Sequence, residues 1–273
     1  SPTQPFSVGM PSFARDYIRE ADMWGITPFD HALCRIQYQN LRYEGPLTPP
    51  STGGSLLYPG VGGGMNWGSV AIDEINHLMV VNVMHNPSVV RLYPQDELTG
   101  EEQFGIGGTQ LGTPYAAYSF FFLSSIFTPC WSPPYGEMAV VDLASQEVLW
   151  QRGLGTAKDQ GPLGIPSGLP LPMGMFYSAG SMVTGGGLIF NGGVADSTMR
   201  AINVYNGKEV WSEALPSSSG ATPMSYISPI SGKQYVIVTV PGSGGGLQLE
   251  SAINSLDEAE VAGGYIIAYA LPD

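Results

Sequence analysis

The 273 residues carry 23 acidic side chains against 10 basic ones, a net charge of −13, and only 12% of positions are charged. A chain so acidic makes a poor partner for nucleic acid. Glycine and proline together exceed a fifth of the residues, which suits short strands joined by turns and leaves too little Ala, Glu, Lys and Leu for a helical protein.

In chain order, residues 1–55 read as an irregular connecting segment. The opening Ser1-Pro-Thr-Gln-Pro-Phe6 has no secretory signature and reads as an internal start. Ser12 to Arg19 could form a short helix. Ala32 to Tyr43 alternates loosely as a strand through Leu33, Ile36, Tyr38, Leu41 and Tyr43, before Pro46, Pro49 and Pro50 break it. From Ser55 onward strand candidates follow in regular order: 55–58, 69–72, 78–82, 89–92, 138–142, 148–151, 188–191, 199–204, 208–211, 224–227, 235–240 and 265–269. Each is short and rich in Val, Ile and Tyr, with Gly, Asn, Asp or Ser at the joints. Asn206-Gly207 reads as a tight type I′ turn, because that pair tolerates positive φ. Ser231-Gly232 reads as a second tight turn.

Two of these hairpins share one cadence. Val140-Val-Asp142 leads to Trp150, and Ala201-Ile-Asn203 leads to Trp211; Ala268-Tyr-Ala-Leu-Pro-Asp273 begins the pattern a third time. A strand, a turn and a second strand ending in Trp, recurring at blade length, reads as an all-β chain of β-propeller blades. The large ring of the tryptophan suits packing between neighbouring blades. Asp142 and Asn203 are placed to bond nearby turn amides. Residues 56–273 would then be propeller, interrupted by long loops at 94–134 and 161–187. Loops of that length serve as lids, binding loops or interfaces, or cover an exposed sheet edge. The longest apolar run, Tyr118 to Phe127, is too short for a bilayer crossing of roughly 20 residues.

A self-contained catalytic site is hard to find. His31, His77 and His85 lack metal-ligand spacing and read as surface or capped residues rather than ligands, and there is no Gly-x-Ser-x-Gly elbow. The glycine runs at 60–64 and 242–246 do not fit a dinucleotide fingerprint. Cys34 and Cys130 lack CxxC spacing and read equally as one disulfide or as two buried thiols. One segment invites a ligand: Pro59-Gly-Val-Gly-Gly-Gly64-Met-Asn66-Trp67-Gly68, followed a strand later by Asn82. Its glycines let backbone approach a flat molecule, and each asparagine offers a donor and an acceptor.

At this segment the chain resembles the membrane-bound quinoprotein dehydrogenases of the glucose/quinate/shikimate type. The likeness runs in order through Ala21-Asp-Met-Trp24-Gly-Ile-Thr-Pro-Phe29-Asp30, Arg42-Tyr43-Glu44-Gly45, Thr48-Pro-Pro-Ser51 and Gly63-Gly-Met-Asn66-Trp67-Gly68. It continues through Ala221-Thr-Pro-Met224 to Tyr265-Ile-Ile-Ala-Tyr-Ala-Leu-Pro272. The resemblance implies about four blades, the C-terminal part of an eight-bladed propeller. Such a propeller binds pyrroloquinoline quinone (PQQ) with Ca2+ or Mg2+, and works in the periplasm, anchored to the cytoplasmic membrane through a part outside this chain.

It also implies no catalytic residue and no metal ligand here, and hence an inactive chain in isolation. The N-terminal half of the dehydrogenase is the implied partner, a small-molecule alcohol the substrate and ubiquinone the acceptor. Asn66, Trp67 and Asn82 are the implied cofactor contacts. Ser243 stands where glucose-type members carry a histidine, which together with Gly161-Pro-Leu-Gly-Ile165 favours a quinate- or shikimate-like substrate over glucose. The competing reading is a non-catalytic periplasmic propeller that scaffolds protein assembly.

Overall fold

A computed structural model describes residues 8–14, 17–66, 68–99, 105–176, 179–241 and 263–272. Fifteen strands in these residues form four antiparallel sheets. The first blade pairs β2 (Val70–Asp73), β3 (Leu78–Met84), β7 (Gly136–Asp142) and β8 (Glu147–Gly153) in that order. The second pairs β9 (Met182–Val183), β10 (Leu188–Asn191), β11 (Thr198–Asn203) and β12 (Glu209–Ala214). The third pairs β13 (Met224–Ile227), β14 (Gln234–Val240) and β15 (Tyr265–Ala270). These three sheets follow the up-and-down order of propeller blades, as the recurring cadence predicts.

The fourth sheet is inserted. Its strands, in the order β1 (Ser55–Leu57), β4 (Ser88–Pro94), β6 (Tyr115–Phe121) and β5 (Ile106–Thr109), come from before the first blade and from the connection between β3 and β7. The stretch 94–134, read from sequence as loop, therefore contains two strands. The glycines of β5 hide it: Gly107 lies at φ 147° opposite Tyr118, a backbone position that strand-forming residues avoid.

Two expectations for the first 55 residues differ from the structure. Ala32 to Tyr43 is not a strand; Pro28–Gln39 forms the helix α1. Thr27 caps it by accepting a hydrogen bond from the Asp30 amide at 3.1 Å, and Pro28 occupies the first turn, where a missing N–H costs nothing. Cys34 lies on its buried face while Ile36 is exposed, so helical rather than alternating periodicity governs. Ser12 to Arg19 shows no helix in its described residues; a single 3-10 turn follows at Glu20–Asp22. Cys34 and Cys130 form a disulfide, with Cα atoms 5.2 Å apart, that ties α1 to the inserted segment.

The hairpin end of the blades is built from repeated Asx turns. Asp73 Oδ1 accepts from the amides of Ile75 and Asn76, Asp142 Oδ1 from Ala144 and Ser145, and Asn203 Oδ1 from Tyr205 and Asn206. This capping changes the predicted two-residue turn at Asn206-Gly207. The turn is longer: Gly207 alone has positive φ, at 68°, and its amide reaches back to the Asn203 carbonyl at 2.9 Å. Gly207 also makes room for the neighbouring blade, since a Cβ there would lie 2.8 Å from the Trp150 ring. Trp150 Nε1 donates to the Val204 carbonyl at 2.7 Å, so the tryptophan of one blade docks on the turn of the next. Trp211 also packs on the next blade, but on a strand: it meets Tyr269 of β15 edge-on at 5.0 Å.

The main core gathers Leu56, Val80, Phe122, Trp131, Met138, Val140, Ile189 and Ile202, joining the inserted sheet to the first two blades. A second cluster of Met199, Leu215, Val236, Val238 and Val240 joins the second blade to the third. The opposite face of the third sheet leaves Met224, Tyr226 and Ile266 exposed. Among the described residues no helix is long and apolar enough to cross a membrane.

Candidate functional site

Because neighbouring strands are antiparallel, the short turns after β2, β7 and β11 all fall at one end of the sheets. The connections β3–β7, β8–β9 and β12–β13 fall at the other. These three connections are therefore delivered to a single face, and the glycine-rich segment 59–66 leads into it.

At the inner margin of that face the starts of β2, β9 and β13 converge. A Cβ on Gly68 would lie 2.0 Å from the Gly180 nitrogen, and one on Gly180 would lie 2.5 Å from Thr222 Oγ1. Only glycine permits so close an approach of backbone to backbone. Asn66 precedes this junction, half-buried, with its carbonyl accepting from the Ser69 amide at 2.9 Å.

Asn82 lies on β3, the strand beside β2 in the first blade, and is 7% exposed. Its Nδ2 donates to the Ala179 carbonyl at 3.1 Å, and its Oδ1 accepts from Ser181 Oγ at 3.0 Å. Ser181 Oγ accepts in turn from Asn191 Nδ2 at 3.2 Å. Asn191 closes β10, the second strand of the next blade, as Asn82 lies near the end of β3 in its own. The two amides and the hydroxyl form a buried polar chain across the blade boundary. In a low-dielectric setting such a chain fixes geometry, because breaking any link strands a buried polar group. An asparagine offers two donors and two acceptor sites, so Asn82 retains capacity for one further bond of each kind.

The structure thus brings Asn66 and Asn82 to one end of the first blade. Trp67 and Ser243 lie outside the described residues.

Sequence reasoning passed over His85, grouping it with surface histidines. It is 3% exposed. Its Nδ1 lies 2.8 Å from the Tyr58 hydroxyl and its Nε2 lies 2.7 Å from Glu137 Oε2. Nearby, Asn86 Oδ1 is buried with no hydrogen-bond partner among the described residues, and so is the Tyr135 hydroxyl. Burial pushes the Tyr135 phenol far above its ordinary pKa, so it stays protonated. Tyr135 stacks on Phe176 at 5.4 Å and meets Trp131 edge-on at 5.6 Å, forming an aromatic floor beneath the connection end. Among the described residues no group of three or more His, Cys, Asp or Glu side chains converges as a metal site.

The chain as a whole is similar to known proteins. The chain is 44% identical over 280 residues to the quinate/shikimate dehydrogenase (quinone) of Acinetobacter baylyi, covering 99% of this chain and 33% of that protein. It is 40% identical to a probable quinate dehydrogenase (quinone) of Xanthomonas campestris pv. juglandis and 37% identical to the quinoprotein glucose dehydrogenase of Escherichia coli. It covers 34% of each. The chain therefore spans about a third of the length of these relatives. Among solved structures, a europium-containing methanol dehydrogenase matches 80% of this chain and 35% of its own, with a TM-score of 0.51 at 22% identity, a likeness of fold. Residues 1–236 match the model of the PQQ glucose/ethanol/alcohol dehydrogenase β-propeller domain, and the chain belongs to that family.

Proposed function

We propose that this chain is the C-terminal portion of the propeller of a PQQ-dependent dehydrogenase. The enzyme would oxidise a polyol, sugar or cyclic hydroxy acid, quinate- or shikimate-like in preference to glucose, and deliver the electrons to ubiquinone. One observation carries the reading: Asn66, the Gly68–Gly180 junction and Asn82 meet where three blades begin, in a chain of this family. The preference for a cyclic hydroxy acid draws on the 44% and 40% identity to quinate-type relatives against 37% to a glucose-oxidising one.

The residues present fit one wall of a site for a flat, polar quinone. The segment 59–66 offers backbone unobstructed by side chains at Gly62, Gly63 and Gly64. Asn82 has bonding capacity left, and Asn86 Oδ1 is a buried acceptor in need of a donor. PQQ, when bound, supplies the two-electron acceptor for the alcohol. The work of this chain is to hold and orient: Asn82 is fixed by Ala179 and Ser181 before any ligand arrives, so little ordering is left for binding. Asn66 and Trp67 would flank it, and Ser243 would border the substrate. The proton-accepting base and the ligands of a Ca2+ or Mg2+ ion are assigned to the remainder of the dehydrogenase, either the same polypeptide or a partner chain. The exposed outer face of the third sheet, with Met224, Tyr226 and Ile266, suits packing against a further blade. The disulfide fits a periplasmic location.

The test is an absorbance scan of the purified protein, with any chain that accompanies it, followed by reconstitution with PQQ and Ca2+. Bound quinone and faster turnover of quinate or shikimate than glucose with a ubiquinone analogue are expected. This chain by itself should bind PQQ weakly and turn over nothing. Activity of the isolated chain, or an intact assembly that never binds quinone, overturns the reading; the latter outcome would favour the scaffold alternative.

A further inference from the structure

The Tyr58–His85–Glu137 chain joins three pieces of the molecule that have no covalent reason to stay together. Tyr58 follows β1 and opens the glycine loop 59–65. His85 follows the last residue of β3. Glu137 sits in β7, opposite Val83 of β3 and Gly153 of β8. The His85 amide also donates to the Tyr135 carbonyl at 2.9 Å, so its backbone and its ring both reach the β7 side. The tyrosine and imidazole rings lie nearly parallel, 15° apart, with centroids 6.3 Å apart.

The proton arrangement follows from the chemistry of the three groups. An ionised carboxylate only accepts, so Nε2 carries a hydrogen and donates to Glu137. In the neutral imidazole Nδ1 then accepts from the Tyr58 hydroxyl. In the imidazolium Nδ1 donates to the Tyr58 oxygen instead. All three groups remain linked in both states, so the connection survives a change in the charge of the ring.

What this connection restrains is the loop itself. Its backbone lies along the β3–β4 connection: Asn86 N donates to Pro59 O at 3.2 Å, Met84 N to Gly64 O at 2.6 Å, and Val61 N meets Ser88 Oγ at 3.3 Å. Gly60 adopts φ 103°, and a Cβ there would lie 1.7 Å from the Asn86 carbonyl oxygen. The side chains of Val61 and Met65 are turned outward, 43% and 52% exposed. A run of glycines is a mobile element by nature, with the largest conformational freedom to lose on ordering. Those three bonds hold the loop along its length, and Tyr58 anchors its base.

We infer that His85 is a positioning residue. Bridging Tyr58 to Glu137, it locks the glycine loop and the Asn66 that follows it into the shape that receives a planar ligand, and so sets affinity for the quinone. This deepens the function proposed above and rests on it for the identity of the ligand; the restraint on the loop does not.

Hydrogen exchange followed by mass spectrometry, on the purified protein with any accompanying chain and without cofactor, reads the restraint directly. Tyr58→Phe, which removes one oxygen, and His85→Ala should both speed exchange in peptides covering residues 59–66 and 84–86, by about 2- to 12-fold, the range for loss of one net hydrogen bond. Peptides from β10 to β12 should be unchanged. Glu137→Gln, whose Oε1 still accepts from Nε2–H, should stay near wild type, whereas Glu137→Ala should behave like His85→Ala. A fluorescence titration with PQQ should show weakening by a similar factor in Tyr58→Phe and His85→Ala, with Glu137→Gln little altered. Unchanged loop exchange in Tyr58→Phe and His85→Ala overturns the inference. So does exchange that rises equally in β10–β12, which would mark a general loss of stability, or a loosened loop that binds PQQ as tightly as wild type. If the wild-type assembly binds no PQQ, the functional reading fails while the exchange experiment still decides whether His85 restrains the loop.

Discussion

The two ends of the blades are built on different principles. At the hairpin end the contacts that repeat are turn caps within a few residues and a tryptophan set against the next blade. Asp73, Asp142 and Asn203 each cap amides two and three residues ahead, and Trp150 docks on the turn of the next blade. At the connection end the decisive bonds join residues far apart in the chain. Asn82 meets Ala179 and Ser181 across separations of 97 and 99 residues, and Asp30 accepts from Thr128 across 98. One end repeats and holds the blades in register. The other end is assembled once and is where a ligand can be recognised. Stability and specificity are thereby placed at opposite ends of the same strands.

That division can be broken or sharpened by substitution. The largest effect is expected for Trp150→Ala, about 3–5 kcal/mol of stability by analogy with large-to-small core changes, read by denaturant unfolding. Its loss should loosen the boundary between the first two blades while a ligand-saturated sample keeps its quinone affinity. Replacing both Cys34 and Cys130 by serine should cost about 2–4 kcal/mol, since the bridge closes a loop with a sequence separation of 96. That loss should appear in unfolding of the inserted sheet. Asn82→Ala should cost about 1–3 kcal/mol by stranding Ser181 and the Ala179 carbonyl, and should weaken PQQ binding as well. A stability loss with unaltered binding would remove Asn82 from the cofactor wall. Asn203→Ala at the hairpin end should cost about 1 kcal/mol and leave quinone affinity alone; a change in affinity there would contradict the division.

The smallest effect concerns acid. The Asn76 side-chain amide, helped by turn N–H groups, holds the Asp73 carboxyl below its ordinary pKa of 3.8. A carboxyl lowered by folding stabilises the native state above the unfolded value, and that contribution disappears as pH falls through the lowered one. Asp73→Asn should therefore flatten the acid limb of the stability curve below about pH 4, as seen by thermal unfolding across pH.

The same division explains what the amino-acid sequence discloses. The blade strands were legible because their hairpins carry local signals within a dozen residues: a Val/Ile-rich strand and a turn of Asx, Ser or Gly, followed by Trp in the hairpins of Asp142 and Asn203. β5 escaped notice because Gly107 and Gly108 deny it strand character, and it exists only because β6 offers an edge to pair with. The helix α1 was signalled by Thr27-Pro28-Phe-Asp30, yet the coincidental alternation from Leu33 to Tyr43 outweighed that cap. Asn66 and Asn82 could be named through resemblance, whereas the partners of Asn82 could not, since nothing local links it to Ser181. His85 shows the limit most sharply. Its function depends on Tyr58, 27 residues earlier, and on Glu137, 52 residues later, a coincidence that only the folded chain creates.

The Cys34–Cys130 bridge has a practical consequence. It turns β1 through β6 into a covalent lasso that includes the inner half of the first blade and leaves β7 and β8 outside. The tip near Leu111, fully exposed, is an inviting place for a protease. A cut there would release nothing: both fragments would stay tethered, run together on a non-reducing gel, and separate only after thiol treatment.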